Sequence, residues 1–147
     1  MKVLSFLQDT GPDHRGRFLS DVLKFSDPEI EATHDFIQWL FPLDEPSSAS
    51  PDAPVLEPGE IALIRKSSLA AHSLNASVQW FCDYLKRNKH WRVAHDHNHL
   101  RITRMIKSVR LLQGEPAANA LRDKVLAMAE TSKDKISQVA WAYWQAA

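Results

Sequence analysis

The stretch His34-Asp35-Phe36-Ile37-Gln38-Trp39-Leu40-Phe41-Pro42-Leu43-Asp44-Glu45-Pro46-Ser47 decides the fold class. Five of its first eight residues are large and apolar, and Pro42 closes the run because its ring and missing N–H stop a helix. Upstream, Ser26-Asp27-Pro28-Glu29 fits a capping box with proline in the first turn, so the spacing predicts one helix from there to Phe41. At about 100° per residue, Ile30, His34, Ile37 and Phe41 share one face of that helix, and Phe36 and Leu40 widen it. Glu31, Asp35 and Gln38 fall on the opposite side, with Trp39 at the edge of the polar stripe, where its indole N–H can meet a partner. His34 is then expected in the core, bonded to a carbonyl or to a partner helix.

Beyond Pro42 the chain runs to Pro58 with five of its eight prolines and no glycine, which makes a stiff, extended connection. Leu43, Ala53, Val55 and Leu56 punctuate it and are expected to lie against the core. Periodic apolar positions predict further helices on both sides of this loop. Gly11-Pro12-Asp13 reads as a turn with Asp13 capping a helix through Phe18, Val22 and Phe25, and residues 2–8 as a short helix at best. Residues 60–72 read as helix, with Ser73 or Asn75 starting or interrupting the next, which carries Leu74, Val78, Phe81 and Leu85 inward.

Residues 88–97 have no clean period and read as a connection. Asn98 is expected to cap a helix to Gln113 that Gly114 ends, and Glu115-Pro116 opens another. A last helix is expected from Thr131 or Ser132, burying Ile136, Val139, Ala140 and Tyr143 with Trp141 and Trp144 flanking. No strand pattern or repeat interrupts this series. The expectation is an all-α fold: a single domain over residues 1–147, an irregular bundle of about six to seven helices with a long proline-rich loop.

A chain of 147 residues can bury roughly two-thirds of its unfolded surface around one core without a metal or disulfide. The one cysteine, Cys82, has no intrachain partner, no run approaches a membrane span, and the short apolar run Val3–Leu7 is no signal-peptide core. A soluble, cytoplasmic protein is therefore expected, with no cofactor.

Charge is unevenly spread although the net is zero. Residues 1–62 hold twelve acids against four cations, and residues 84–110 hold eight cations against Asp96 alone. Arg101, Arg104, Lys107 and Arg110 recur every third residue, a spiral that suits a solvated face, an acidic peptide or phosphates. His95, His97 and His99 alternate ahead of it and could offer imidazoles to a transition metal, though no acid or second cysteine stands in a recognised spacing with them. Cys82 between Phe81 and Asp83 lacks a local activating cation and reads as a structural thiol. No phosphate loop, nucleophile elbow or paired-glycine fingerprint is present.

Two stretches, residues 34–47 and His97-Asn98-His99-Leu100-Arg101-Ile102-Thr103-Arg104-Met105-Ile106-Lys107-Ser108, resemble the signature segments of the opioid growth factor receptor conserved-region family. Phe25-Ser26-Asp27, Ala53-Pro54-Val55-Leu56 and Glu60-Ile61 also resemble that family, so the signature regions span 25–61 and 97–113 and the likeness covers most of residues 9–130. The resemblance implies a helical domain. Animal members are described as receptors for an enkephalin-type peptide, associated with the nuclear envelope and linked to growth regulation, so it also implies a peptide-receptor-like function without catalysis.

The leading expectation is a non-catalytic domain that binds a peptide or protein ligand through Gln38, Trp39, Arg101, Arg104 and Lys107. The alternatives are a nucleic-acid-binding module using the basic helix 98–113, and a metal enzyme built on His95, His97 and His99.

Overall fold

A computed structural model describes the whole chain, Met1–Ala147. It is all-α, with nine α-helices and no strand beyond an isolated bridge between Leu43 and Val55. Five of the nine have seven or more residues, which matches the expected number of substantial elements less closely than the class itself. No helix is long and apolar enough to cross a membrane. The chain forms two compact units, Met1–Trp80 and Phe81–Ala147.

In the first unit α1 (Lys2–Leu7) buries Val3, Phe6 and Leu7 and packs on α4 (Ile37–Leu40) and α5 (Pro58–Lys66). Glu60 ties α5 to α1 by accepting the Leu4 N–H at 3.0 Å. Asp13 does not open a helix. It closes a turn instead, and only Leu19–Val22 (α2) is helical, its entry fixed by Asp21, whose carboxylate accepts the Phe18 N–H at 2.8 Å.

The capping box forms as expected at the start of α3 (Asp27–Ala32). Ser26 Oγ accepts the Glu29 N–H at 3.3 Å, and the Glu29 carboxylate accepts the Ser26 N–H at 3.0 Å. The helix does not continue to Phe41. Thr33 turns extended (φ −99°, ψ 125°), and residues 33–36 separate α3 from the single turn of α4. Thr and Asp compete with the helical backbone for hydrogen bonds, and here Arg17 holds both the side chain and the carbonyl of Asp35. The interruption resets the phase. His34 is exposed rather than in the core, and Gln38 is buried rather than on the polar face.

The proline-rich loop returns on itself, with the Leu56 N–H donating to the Leu43 carbonyl at 2.9 Å. Leu43 and Leu56 are buried, whereas Val55 stays exposed. The next break falls at Ser67, not at Ser73 or Asn75. Ser67 Oγ accepts the Ala70 N–H at 3.1 Å and starts α6 (Ser68–Arg87), which runs unbroken through both expected sites. A serine with extended backbone after Lys66 is a better cap than one already inside a helical turn.

The second unit is built on α7 (Asn98–Gln113), α8 (Glu115–Ala129) and α9 (Gln138–Ala146), each packed on the other two. Asp96, not Asn98, serves the start of α7, its Oδ1 accepting the Asn98 N–H at 2.9 Å. Gly114 (φ 95°, ψ 175°) ends α7 and begins α8, a conformation open to glycine almost alone. The last helix starts at Ser137, whose Oγ accepts the Ala140 N–H at 3.1 Å. Its inward face is Ala140, Trp141 and Trp144, while Val139 and Tyr143 are exposed.

Candidate ligand-binding site

A dense set of polar contacts lies in the first unit, where the turn 13–17 meets the beginning of α4. Asp13, its side chain fully buried, accepts the Arg15 and Arg17 N–H groups on Oδ1 at 2.9 and 3.0 Å and Arg17 Nε on Oδ2 at 2.7 Å. The Asp13 N–H donates to the Arg17 carbonyl at 2.8 Å, and Gly16 supplies the positive φ of 76° that the reversal needs. The turn is thus rigid and presents three side chains in one direction.

All three reach Asp35. Arg17 Nη1 donates to Oδ1 at 3.0 Å, while Arg15 Nε and His14 Nε2 approach Oδ2, the latter at 3.3 Å. Burial of the Asp35 carboxyl pushes its pKa up, but the Arg17 hydrogen bond and charge and the Arg15 charge outweigh it and hold the group below the usual carboxylate range. The His14 ring lies parallel to the Trp39 indole, and Phe6 meets the same indole edge-on with centroids 5.5 Å apart.

Beneath this surface two polar atoms are left over. Trp39 Nε1 and Gln38 Oε1 are both buried with no hydrogen-bond partner, the Gln38 amide having spent its Nε2 on the His34 carbonyl at 3.2 Å. An unpaired buried donor or acceptor costs about 1–3 kcal/mol, which a bound group of the right kind can recover.

Gln38 and Trp39 thus sit together with His14, Arg15, Arg17 and Asp35, whereas Arg101, Arg104 and Lys107 lie along α7 in the second unit. Arg101 is buried and donates from Nη1 to Asn98 Oδ1 at 3.3 Å, so it serves the first turns of its own helix. Arg104 and Lys107 are half-buried. Arg110 bonds the Ala147 carbonyl at 2.7 Å and Asn119 at 2.9 Å, fastening α7 to the last residue and to α8.

His95 and His97 are exposed, but His99 is buried and its Nε2 lies 2.6 Å from the Trp91 carbonyl, which requires the proton on that nitrogen. The Trp144 indole donates to the His99 carbonyl at 3.2 Å and packs on the imidazole edge-on. His99 is a core hydrogen-bond donor, which leaves the proposed histidine trio without its third Nε2. Cys82 is buried, and burial pushes its thiol pKa up against the downward pull of Lys124 and Lys86.

His14, Arg15 and Arg17 are absent from the sequence expectations. The one available signal was Gly11-Pro12-Asp13-His14-Arg15-Gly16-Arg17, a glycine-bounded turn carrying three basic side chains.

The fold and this cluster define a helical protein with cations and aromatic rings gathered over α4. Residues 17–86 match the opioid growth factor receptor (OGFr) conserved region, and over that segment the chain is similar to this family. The matched range contains Arg17, Asp35, Gln38 and Trp39 and the whole of residues 34–47, while the second resembling stretch, 97–108, lies beyond it. No curated protein and no solved structure matches the chain.

Proposed function

We propose that the chain is a non-catalytic binding domain, acting in the cytoplasm, whose partner is a peptide or protein segment bearing acidic residues. The observation that carries this reading is the unpaired indole N–H of Trp39 below a surface formed by His14 and the mostly exposed Arg15. Such a site offers a hydrogen bond to a main-chain carbonyl and a guanidinium to a carboxylate. Neighbouring helical residues diverge by about 100°, so Gln38 serves a different group of an extended ligand than Trp39 does. The family model that residues 17–86 match, named for an opioid growth factor receptor, supports a peptide over a small metabolite. Arg104 and Lys107 on α7 offer the acids of such a partner a separate contact.

Selection from a random peptide library enriched in Asp and Glu tests the reading, with Trp39→Phe as counter-screen. Peptides retained by the wild-type chain are expected to lose about 1–3 kcal/mol on Trp39→Phe, the cost of one hydrogen bond from a buried group. A further loss of similar size is expected for Arg104→Glu if that helix takes part. Retention of no peptide contradicts the binding function, and equal retention by both proteins contradicts the site.

A further inference from the structure

The second unit carries an open recess of about 290 Å³, lined by Lys133, Ile136, Gln138, Trp141 and Gln145. Two pieces of chain make it. Gln138, Trp141 and Gln145 stand three and four residues apart, so they share one face of α9. Lys133 and Ile136 come from the segment that leads into that helix after the 3₁₀ turn Glu130–Ser132. The join is fixed from both sides: the Ile136 N–H donates to the Ser132 carbonyl at 3.2 Å, and the Ser137 N–H to the Ala94 carbonyl at 3.2 Å.

The floor of the recess is apolar. Ile136 and Trp141 are buried, and Trp141 packs on the fully buried Trp144 with centroids 5.9 Å apart. The rim is polar, since Lys133, Gln138 and Gln145 are all exposed. The Lys133 ammonium lies over the Trp141 ring, 5.0 Å from its centroid, and makes no ion pair. Its charged neighbours in sequence, Glu130, Asp134 and Lys135, are exposed, and none of them lines the recess. The lining therefore combines one cation, two carboxamides that can both donate and accept, and an apolar floor, with no acid.

We infer that this recess binds a small carboxylate that carries an apolar ring. The carboxylate pairs with Lys133 and accepts an amide N–H from Gln138 or Gln145, while the ring lies on Ile136 and Trp141. Each part of such a ligand answers a different part of the lining. A cationic ligand is repelled by Lys133, and a neutral one leaves that charge unused. A bare anion leaves the apolar floor in water. The volume falls just short of the roughly 300 Å³ at which pockets for drug-sized ligands begin, which suits a single ring. Five lining residues are far fewer than a stable protein partner covers. All five belong to the second unit, so the inference stands apart from the peptide reading of α4.

Titration of the full chain with benzoate, followed in ¹H–¹⁵N spectra, tests the site, with cyclohexanecarboxylate, benzamide, benzylamine and acetate as comparison probes. The Trp141 indole resonance, assigned with Trp141→Phe, is expected to shift saturably with benzoate and with cyclohexanecarboxylate. Benzamide and acetate are expected to bind about threefold or more weakly than benzoate, the first lacking the charge and the second the ring. Benzylamine is expected to leave the resonance unmoved.

Lys133→Gln removes the charge at an exposed position, and a thermal melt matching the wild type shows that the fold is intact. The variant is expected to bind benzoate about threefold to fivefold more weakly, the size of an exposed ion pair, and benzamide as before. If Lys133 only props the Trp141 ring, both probes weaken alike, and that result overturns the inference. It is overturned equally by no saturable shift, by equal binding of benzoate and benzamide, or by unchanged benzoate affinity in Lys133→Gln. Saturable binding that moves other indoles and leaves Trp141 in place also overturns it.

Discussion

The imidazole of His14 lies parallel to the indole of Trp39, with 3° between the planes and 5.8 Å between the centroids. His14 is also bound to Asp35, so one ring covers the tryptophan while staying attached to the acid that gathers Arg15 and Arg17. The consequence is a cover that can be removed without touching α4. His14→Ala is expected to cost about 0.5–1.5 kcal/mol, the range for stacked rings, measured by urea unfolding. The same variant is expected to let solvent reach the Trp39 indole, which hydrogen exchange of that one N–H would show as a loss of protection.

Asp13 and Arg15 carry the same turn with very different weight. Asp13 is completely buried and satisfies two backbone amides and the Arg17 guanidinium, so Asp13→Ala leaves three donors unpaired and is expected to cost about 3–5 kcal/mol. Arg15 has a mostly exposed side chain, and Arg15→Ala is expected to cost at most about 1 kcal/mol in the same denaturation experiment. Equal losses in the two variants would contradict the picture of a turn held from inside.

Acid should loosen this turn in a definite direction. Asp35 has a folded pKa held below its ordinary value, so its ionised form contributes stability that is complete above the unfolded value near 3.8. That contribution falls away as pH drops through the depressed folded value, when the protonated carboxyl no longer pairs with Arg17 and Arg15. Thermal melts between pH 6 and pH 2 are expected to show a smaller acid-induced fall in Asp35→Asn than in the wild type, as about one such linked proton is removed from the balance.

Gly114 predicts a backbone effect far from any site. A side chain there meets nothing closer than Pro116 Cδ at 4.0 Å, so space is not the obstacle, but φ of 95° with ψ of 175° is strained for any L residue. Gly114→Ala is expected to cost about 1–3 kcal/mol, and the calorimetric midpoint of unfolding is the measurement.

Much of this architecture was legible in local chemistry, and the failures share a cause. The Ser26–Glu29 box, the stop at Pro42 and the Gly114 junction are decided by the residues themselves, and all three stand where the sequence puts them. The break at Thr33 was not legible, because it depends on Arg17 reaching Asp35 from eighteen positions away. From that one contact followed the inversion of His34 and Gln38. The turn of α9 was lost for a different reason: Val139, Trp141, Tyr143 and Trp144 are all apolar enough to be inward, and only packing with Trp91 and His99 selects among them. Of the candidate site, Gln38 and Trp39 were visible as polar and aromatic residues beside an apolar stripe, whereas the side chains that surround them come from a separate turn.

The most direct test of the account watches the indole proton of Trp39, one of five in the chain, assigned with Trp39→Phe in ¹H–¹⁵N spectra. During titration with peptides selected from the acidic library, the account predicts a saturable downfield shift of that one resonance as its N–H gains an acceptor. It also predicts an affinity at least about fivefold weaker in Gln38→Leu, the equivalent of one modest hydrogen bond. Saturable peptide binding that leaves the Trp39 indole unmoved, while shifting resonances elsewhere, would contradict the claim that the ligand is held over α4.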